Sequence, residues 1–478
     1  MITKTGIVAT LGPASSDQNL IRQFIENGVT TFRLNFSHGD ESTHEALLNT
    51  IRKMDGEFPH AVALMGDLCG PKIRTGLIEP DGALVQEGVQ IIITGEEGIG
   101  TPARFSTNHP NLIEDVQMDQ RILLNEGNLV LRVEQKEGGH LLCRVVIGGP
   151  VHSRNGINLP DTEVSLPAIT PRDWQWVAWA VEHELDYLAL SFVQRAEEVL
   201  QLRQHIQEKD SPIKVVAKIE KPKAIDNIEA IIHASDAIMV ARGDLGVEMP
   251  AAEVPLIQKT LTNLCRRYGK PVIVATQVLQ SMIEHPSPTR AEVSDIANAV
   301  MDYTDAVMLS GETAMGKYPL PAVRVIREVC GKTETYQEAT SIPRPQIETD
   351  SSLHELSVIA RSVAHMVDEI ECVLVVIGTK TGTTARLMSK ARIRAPILSF
   401  CPGERMNRQI SMHYGVISAQ CPLLKDINEF VAFAEATILR HGWAKAGQQI
   451  VVLPGRDLLP KKTSHAIVLH TLSLSRSD

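Results

Sequence analysis

Aromatic residues are scarce in this chain of 478 residues, only 4% of the total, and Ala, Val, Ile and Leu carry most of its apolar content. Cores of that kind suit parallel sheets covered by helices. Cysteine is scarce as well: the seven (69, 143, 265, 330, 372, 401 and 421) are scattered, odd in number and never spaced as CxxC. That pattern argues against a zinc site or a disulfide framework and fits a reducing compartment. No run approaches the roughly 18 to 20 apolar residues of a membrane span, and MITKTGIVATLGP opens directly on a strand-like segment without a signal peptide, so a cytoplasmic location is expected. Excess positive charge is lacking too. Forty-seven Lys and Arg face 57 Asp and Glu, a formal -10, which argues against general binding to nucleic acid or anionic membrane but leaves room for local cationic pockets.

What is present is a repeat. Eight short apolar runs begin at Gly6, Thr31, Ala61, Tyr187, Lys214, Ala237, Pro271 and Ala306, most of them separated by amphipathic stretches such as AEEVLQLRQHIQEK. Strand followed by helix, eight times over, predicts a (β/α)8 barrel. One gap is too long for a single helix. From Pro71 to about Pro167 the texture changes to short runs (VQIIITG, RILLNEG, LVLRVEQ, LLCRVVIGG) punctuated by glycine, which predicts a small β-barrel domain inserted in a βα loop. Such loops lie at the catalytic face of a barrel, so the insertion is placed to act as a lid. After ATSIPRPQIETD, helix and strand alternate again and predict a separate α/β domain. The expected division is 1–70 and 168–340 for the barrel, 71–167 for the lid and 341–478 for the C-terminal domain.

Polar residues just past the C-terminal ends of barrel strands point into the site. Here they are Arg33, Asn35, Ser37 and His38; Asp67; Lys218 and Glu220; Arg242, Gly243 and Asp244; Thr276 and Gln277; Ser310 and Glu312. Glu220 and Asp244 end adjacent strands, and two converging carboxylates suit Mg²⁺ or Mn²⁺, which prefer oxygen ligands and keep positions open for substrate. Lys218 shares a strand face with Glu220 and is placed to neutralise a phosphoryl group in transfer. Gly243 lets a substrate carboxylate approach backbone N–H groups. A metal, a fixed cation and a lid together indicate phosphoryl or enolate chemistry. These residues alone leave open a Mg²⁺-dependent lyase acting through pyruvate enolate. A catalytically silent regulator is disfavoured, because Lys218 and both metal carboxylates are present.

The segments RLNFSHG, GPKIRTG, NGINLP, AKIEKP, MVARGDLGVE, ATQVLQSM, PTRAEVSDIANAVMD and MLSGETAMGKYP, spread over almost the entire chain, closely resemble pyruvate kinase. The resemblance implies phosphoryl transfer from phosphoenolpyruvate to ADP in a homotetramer. It implies that Arg33, Lys218, Gly243, Asp244 and Thr276 contact phosphoenolpyruvate and that Glu220 and Asp244 hold Mg²⁺. Asn35, Phe36, Ser37, His38, Arg74 and Arg154 would meet the nucleotide, and Thr276 and Ser310 would lie near the water relay that protonates the enolate.

Two positions depart from the family pattern. Lys72 stands where many members have Glu beside a K⁺ ion bound by equivalents of Asn35, Ser37, Asp67 and the carbonyl of Leu68. A tethered ammonium there is expected to replace the ion, leaving Mg²⁺ required and K⁺ not. Asn155 stands where many members carry a nucleotide-contacting lysine, with Arg154 beside it. In the last domain, Thr379, Lys380, Thr381, Gly382, Thr383 and Thr384 align with the loop that grips an effector phosphate in regulated members. The later stretch from Gly455 to Lys462 lacks the pattern that accompanies fructose 1,6-bisphosphate. A phosphorylated effector is therefore expected, with a sugar monophosphate or nucleotide as eligible as the bisphosphate.

Overall fold

The structure is a computed structural model and describes residues 3–96, 98–162, 164–340, 347–348, 351–455 and 466–473. Eight parallel strands close into a barrel in chain order: β1 (Gly6–Thr10), β2 (Val29–Asn35), β3 (Ala63–Asp67), β4 (Tyr187–Leu190), β5 (Lys214–Ile219), β6 (Ala237–Ala241), β7 (Val272–Ala275) and β8 (Ala306–Leu309). Closure is made by β8 against β1, with Gly6 opposite Ala306. The barrel interior explains the shortage of aromatics. Apart from Ile273 and the single aromatic Tyr187 it is filled by small or unbranched side chains, among them Val8, Ala63, Met65, Ala189, Met239 and Met308, and Met412 of the C-terminal domain belongs to the same cluster. The opposite face of each strand packs on the surrounding helices in a larger aliphatic core.

Between β3 and β4 the chain builds a six-stranded curled sheet, ordered Ile157–Asn158, Arg121–Leu124, Leu129–Glu137, His140–Ile147, Gln90–Thr94 and Arg104–Ser106. Its alternation is visible along the third of these, where Leu129, Leu131 and Val133 are buried and Arg132 is exposed. The sheet has a separate core that includes Ile91, Ile93, Phe105 and Leu131.

The C-terminal sheet is β9 (Leu374–Gly378), β10 (Ile397–Cys401), β11 (Val416–Gln420), β12 (Gln449–Leu453) and β13 (Val468–Thr471), in the order β11-β10-β9-β12-β13 with only β13 antiparallel. Two apolar clusters cover its two faces. The Arg456–Lys462 stretch lies outside the described residues. No described helix is long and apolar enough to cross a membrane.

The barrel base, opposite the lid, is tied by three acids that precede alternate strands. Asp186, Asp236 and Asp305 accept the backbone N–H of Leu64 at 2.8 Å, Val215 at 2.9 Å and Val272 at 2.8 Å respectively. Cations from the C-terminal domain reach two of them: Arg408 pairs with Asp186 at 3.0 Å, and Lys390 and Arg392 with Asp305. Among the described residues Asp236 forms ion pairs with Arg203 and Lys214 of the barrel, and Arg386 of the C-terminal domain lies within its electrostatic reach.

Candidate active site

The strand ends converge as barrel geometry requires. Arg33 at the end of β2 donates from Nε to Asp67 at 2.6 Å and from Nη1 to the Thr10 hydroxyl at 3.0 Å. Lys218 on β5 places Nζ 2.6 Å from Ser191 Oγ, 2.8 Å from Glu220 Oε1 and 3.2 Å from Asp67 Oδ1. Burial alone would raise the Asp67 carboxyl, but the Arg33 and Lys218 cations outweigh it and hold the group below the usual carboxylate range. Lys218 shows the mirror case. Burial would lower it, yet Asp67 and Glu220 push its ammonium above the ordinary lysine value, so it stays charged. Glu220 is raised by burial first and by the neighbouring negative charge of Asp244 and Asp67. Its other oxygen, Oε2, accepts the Phe192 N–H at 2.8 Å.

Glu220 and Asp244 are two hard oxygen donors within electrostatic reach of each other, and no group of three or more His, Cys, Asp or Glu placed to hold a metal occurs among the described residues, so an ion here would draw its other ligands from substrate and water. That donor set fits Mg²⁺ or Mn²⁺, which take one or two carboxylates and fill the remaining positions with water and substrate oxygens.

Above this floor lies a cleft of about 1200 Å³ between barrel and lid. Lys72, Arg74, Arg154 and Asn155 line it from the lid side, and Gly243, Asp244, Thr276 and Ser310 from the barrel. Arg74 is exposed and donates to the Arg154 carbonyl at 3.0 Å. Lys72 is exposed and pairs with no carboxylate among the described residues. Three buried polar atoms of lining residues lack partners here, Nδ2 of Asn155, Nε of Arg242 and Oγ of Ser310. Lid and barrel meet where Asn158 donates to Glu248 at 2.7 Å, the same carboxylate that pairs with Lys221.

Thr276 and Gln277 hold φ of 65° and 53°, a left-handed pair that a β-branched residue adopts only under constraint. The constraint is Arg242. Its Nη2 donates to the carbonyls of Thr276 at 3.1 Å and Gln277 at 3.2 Å, while Nη1 is fixed by Asp295 at 2.8 Å. This turn carries the Thr276 hydroxyl to the Gly243 N–H, which donates to it at 2.6 Å. The Gly243 N–H expected to meet a substrate carboxylate is thus already engaged. Glu312 accepts the Leu279 and Ser310 N–H groups at 2.9 and 2.7 Å and so positions the eighth strand end.

The Phe36 side chain is fully buried, stacked on Trp176 at 4.3 Å and set edge-on to Trp179 and His44, so only its backbone is open to a ligand at this strand exit. Asn35, Ser37 and His38 stand beside it on the β2 exit and, like Arg33, Asp67, Lys218 and Glu220, are not among the residues that line the main cleft. Asn35 Oδ1 accepts the Ser37 N–H at 3.2 Å, and the Leu68 carbonyl accepts from Ser191 at 2.8 Å. Ser191, Thr10 and Asp295 join the site without having been singled out in the sequence. Ser191 had a signal, since it follows the apolar run of β4 as the other site residues follow theirs.

Comparison with known proteins matches the model "Pyruvate kinase, barrel domain" over residues 2–323 and "Pyruvate kinase, alpha/beta domain" over 357–469. The chain is 38% identical over 476 residues to a pyruvate kinase of Geobacillus stearothermophilus, covering 99% of this chain and 81% of that one. It is 38% identical over 471 residues to a pyruvate kinase of Staphylococcus epidermidis, covering 98% and 80%. A crystal structure of a pyruvate kinase from Cryptosporidium parvum superposes with a TM-score of 0.89 at 33% identity, over 98% of this chain and 96% of that one.

Proposed function

The chain belongs to the pyruvate kinase family of phosphotransferases, and on that premise we propose how its own residues move the phosphoryl group from phosphoenolpyruvate to ADP. The carrying observation is Lys218, a buried ammonium fixed among Asp67, Glu220 and Ser191. All three of its N–H donors are engaged, so a phosphoryl oxygen gains it by displacing an acceptor; the neutral Ser191 hydroxyl is the one that costs least to give up. Arg33 keeps two of its five N–H groups unused by Asp67 and Thr10 and can offer them to the same phosphoryl group. Glu220 and Asp244 would hold Mg²⁺, which when bound supplies positive charge to the transferring group and the developing enolate. Arg74, Arg154 and the unpaired amide of Asn155 face the cleft where ADP must enter, so a neutral donor replaces the lysine of many relatives. The Ser310 hydroxyl, unpartnered at the cleft, is the group available to donate to a water that protonates the enolate, while the Thr276 hydroxyl, which donates to the Ala275 carbonyl and receives the Gly243 N–H, can only accept from that water.

The reading extends to the monovalent cation. Asp67 is already matched by two cations, the Leu68 carbonyl and Asn35 Oδ1 each already accept a hydrogen bond, from Ser191 and Ser37, and Lys72 brings to the cleft an ammonium without a carboxylate partner among the described residues. That arrangement supports turnover without K⁺. Coupled assay in tetramethylammonium buffer is expected to give pyruvate only with phosphoenolpyruvate, ADP and Mg²⁺ together, and added KCl is expected to stimulate less than about tenfold, or about 1.4 kcal/mol of barrier. Pyruvate formed without ADP would point to a lyase, and stronger stimulation by KCl would remove the role given to Lys72.

In the C-terminal domain, the Thr379 hydroxyl accepts the Gly382 N–H at 3.0 Å, and the hydroxyls of Thr381 and Thr383 lie 3.1 Å apart beside the exposed Lys380. This supports a phosphorylated effector on the outer side of the loop. Lys380→Glu is expected to shift the activation curve of at least one phosphosugar or nucleotide by about tenfold or more; unchanged curves for all of them would reject the site.

A further inference from the structure

The chain leaves the barrel for the lid and returns from it through two short crossings. On the way out, Cys69 packs against the barrel core and Ile73 belongs to the core of the lid; on the way back, Leu166 packs against the lid core and Ile169 lies in that of the barrel. Gly70–Lys72 and Pro167–Ala168 belong to neither cluster. Apolar burial does not set the chain's course there, so hydrogen bonds must.

One carboxylate serves both crossings. Asp173 is fully buried in the first turn of the helix Pro171–Glu182. Its Oδ1 accepts the N–H groups of Cys69 at 2.8 Å and Gly70 at 3.4 Å, and its Oδ2 accepts the Thr170 N–H at 3.0 Å and the Thr170 hydroxyl at 2.6 Å. One oxygen holds the outgoing chain and the other the returning chain. Helix capping needs only the second, since the capping box is complete with Thr170 and Asp173 alone. The bonds to Cys69 and Gly70, 104 and 103 positions away, are additional to it. The same helix reaches the β2 exit: Trp176 carries the Phe36 ring, and the Cys69 thiol meets the side chain of Ser37.

We propose that Asp173 is a positioning residue for phosphoryl transfer, whose carboxylate pins both crossings and so fixes the axis on which the lid carries Arg74, Arg154 and Asn155 over the barrel. It touches no substrate. Phosphoenolpyruvate is met by barrel residues, whereas ADP enters between barrel and lid, so loss of the pin falls on the nucleotide. That role rests on the placing of ADP proposed for this cleft.

Asp173→Asn keeps the size and one acceptor oxygen, and it turns an N–H₂ donor on the N–H groups of whichever crossing that oxygen leaves. Hydrogen exchange read by mass spectrometry over residues 66–74 and 165–172 is expected to be at least about tenfold faster than wild type in one of the two segments. KM for ADP is expected to rise at least about fivefold, with KM for phosphoenolpyruvate within about twofold. Thr170→Val removes the cap hydroxyl and leaves the Cys69 and Gly70 bonds; it should lower the melting temperature and keep KM for ADP within about twofold. Arg74→Met tests the placing of ADP itself and should raise KM for ADP at least about fivefold. If Arg74→Met raises it and Asp173→Asn does not, the proposal falls while the placing of ADP stands; if neither raises it, both fall. Thr170→Val matching the effect of Asp173→Asn on KM for ADP would reduce Asp173 to a helix cap. Should Asp173→Asn fail to fold, the wild type decides: exchange at Cys69 and Thr170 at least about 100-fold slower than in an unfolded chain supports the pin, and exchange near the unfolded rate overturns it.

Discussion

Lys218→Met is expected to lower kcat for phosphoryl transfer by about 10³-fold or more, while KM for phosphoenolpyruvate stays within about tenfold. Removing one preorganised donor from a developing charge commonly costs about 10² to 10³ in kcat, and removing a full cation from a transferring phosphoryl group about 10³ to 10⁵. Lys218 qualifies for the larger range because it is buried, fixed by three partners and held charged by Asp67 and Glu220. Methionine preserves the aliphatic length. Asp67 keeps Arg33, and Glu220 can protonate, since burial already raises it, so the fold should survive. Steady-state kinetics on a variant with wild-type circular dichroism decides it. A kcat loss under tenfold would show that Lys218 is a structural ion-pair partner only.

Lys218, Glu220, Asp244 and Arg33 could be read from sequence because a barrel converts position at a strand's end into position in a site. Phe36 shows what the same rule leaves out. Along a strand exit the side chains alternate, so a residue between Asn35 and Ser37 turns the other way, and for Phe36 that way leads to Trp176. The turn at Thr276 had no sequence signal, since its left-handed backbone is imposed by Arg242, 34 positions earlier, and by Asp295 behind it. Domain texture was legible because period and glycine spacing are local properties. The acids of the barrel base were not. Each reads locally as a solvated residue before an apolar run, and for Asp186 and Asp305 the cations of the C-terminal domain come from far along the chain, as with Arg408, 222 residues after Asp186.

Asp305 gives the second large effect, on stability. Its carboxylate, fully buried, bonds the Val272 N–H and pairs with Lys390 and Arg392, both also buried, while the Arg392 guanidinium sits 3.9 Å from the Tyr414 ring centroid. Replacing a buried ion pair with apolar groups can be neutral, but removing one partner strands the other, at about 3–5 kcal/mol. Asp305→Ala strands two cations and one backbone donor, and it acts exactly where the C-terminal domain is joined to the barrel. Lys390→Met should cost less, because Asp305 keeps Arg392. The deficit of Asp305→Ala should also depend on pH. Burial already brings the Lys390 ammonium down to about 8, with Asp305 opposing the fall. Without Asp305 it falls further, so between pH 6 and 8 the folded variant binds fewer protons at this site than its unfolded chain. Stability of the variant then rises with pH while that of the wild type at this group stays nearly flat, and the gap between them narrows. Urea unfolding followed by both far-ultraviolet circular dichroism and tryptophan fluorescence, at pH 6 and pH 8, measures both quantities. A deficit below about 1 kcal/mol at pH 6, or one that widens toward pH 8, would mean that the domains are held by their apolar contacts, with the buried charges incidental.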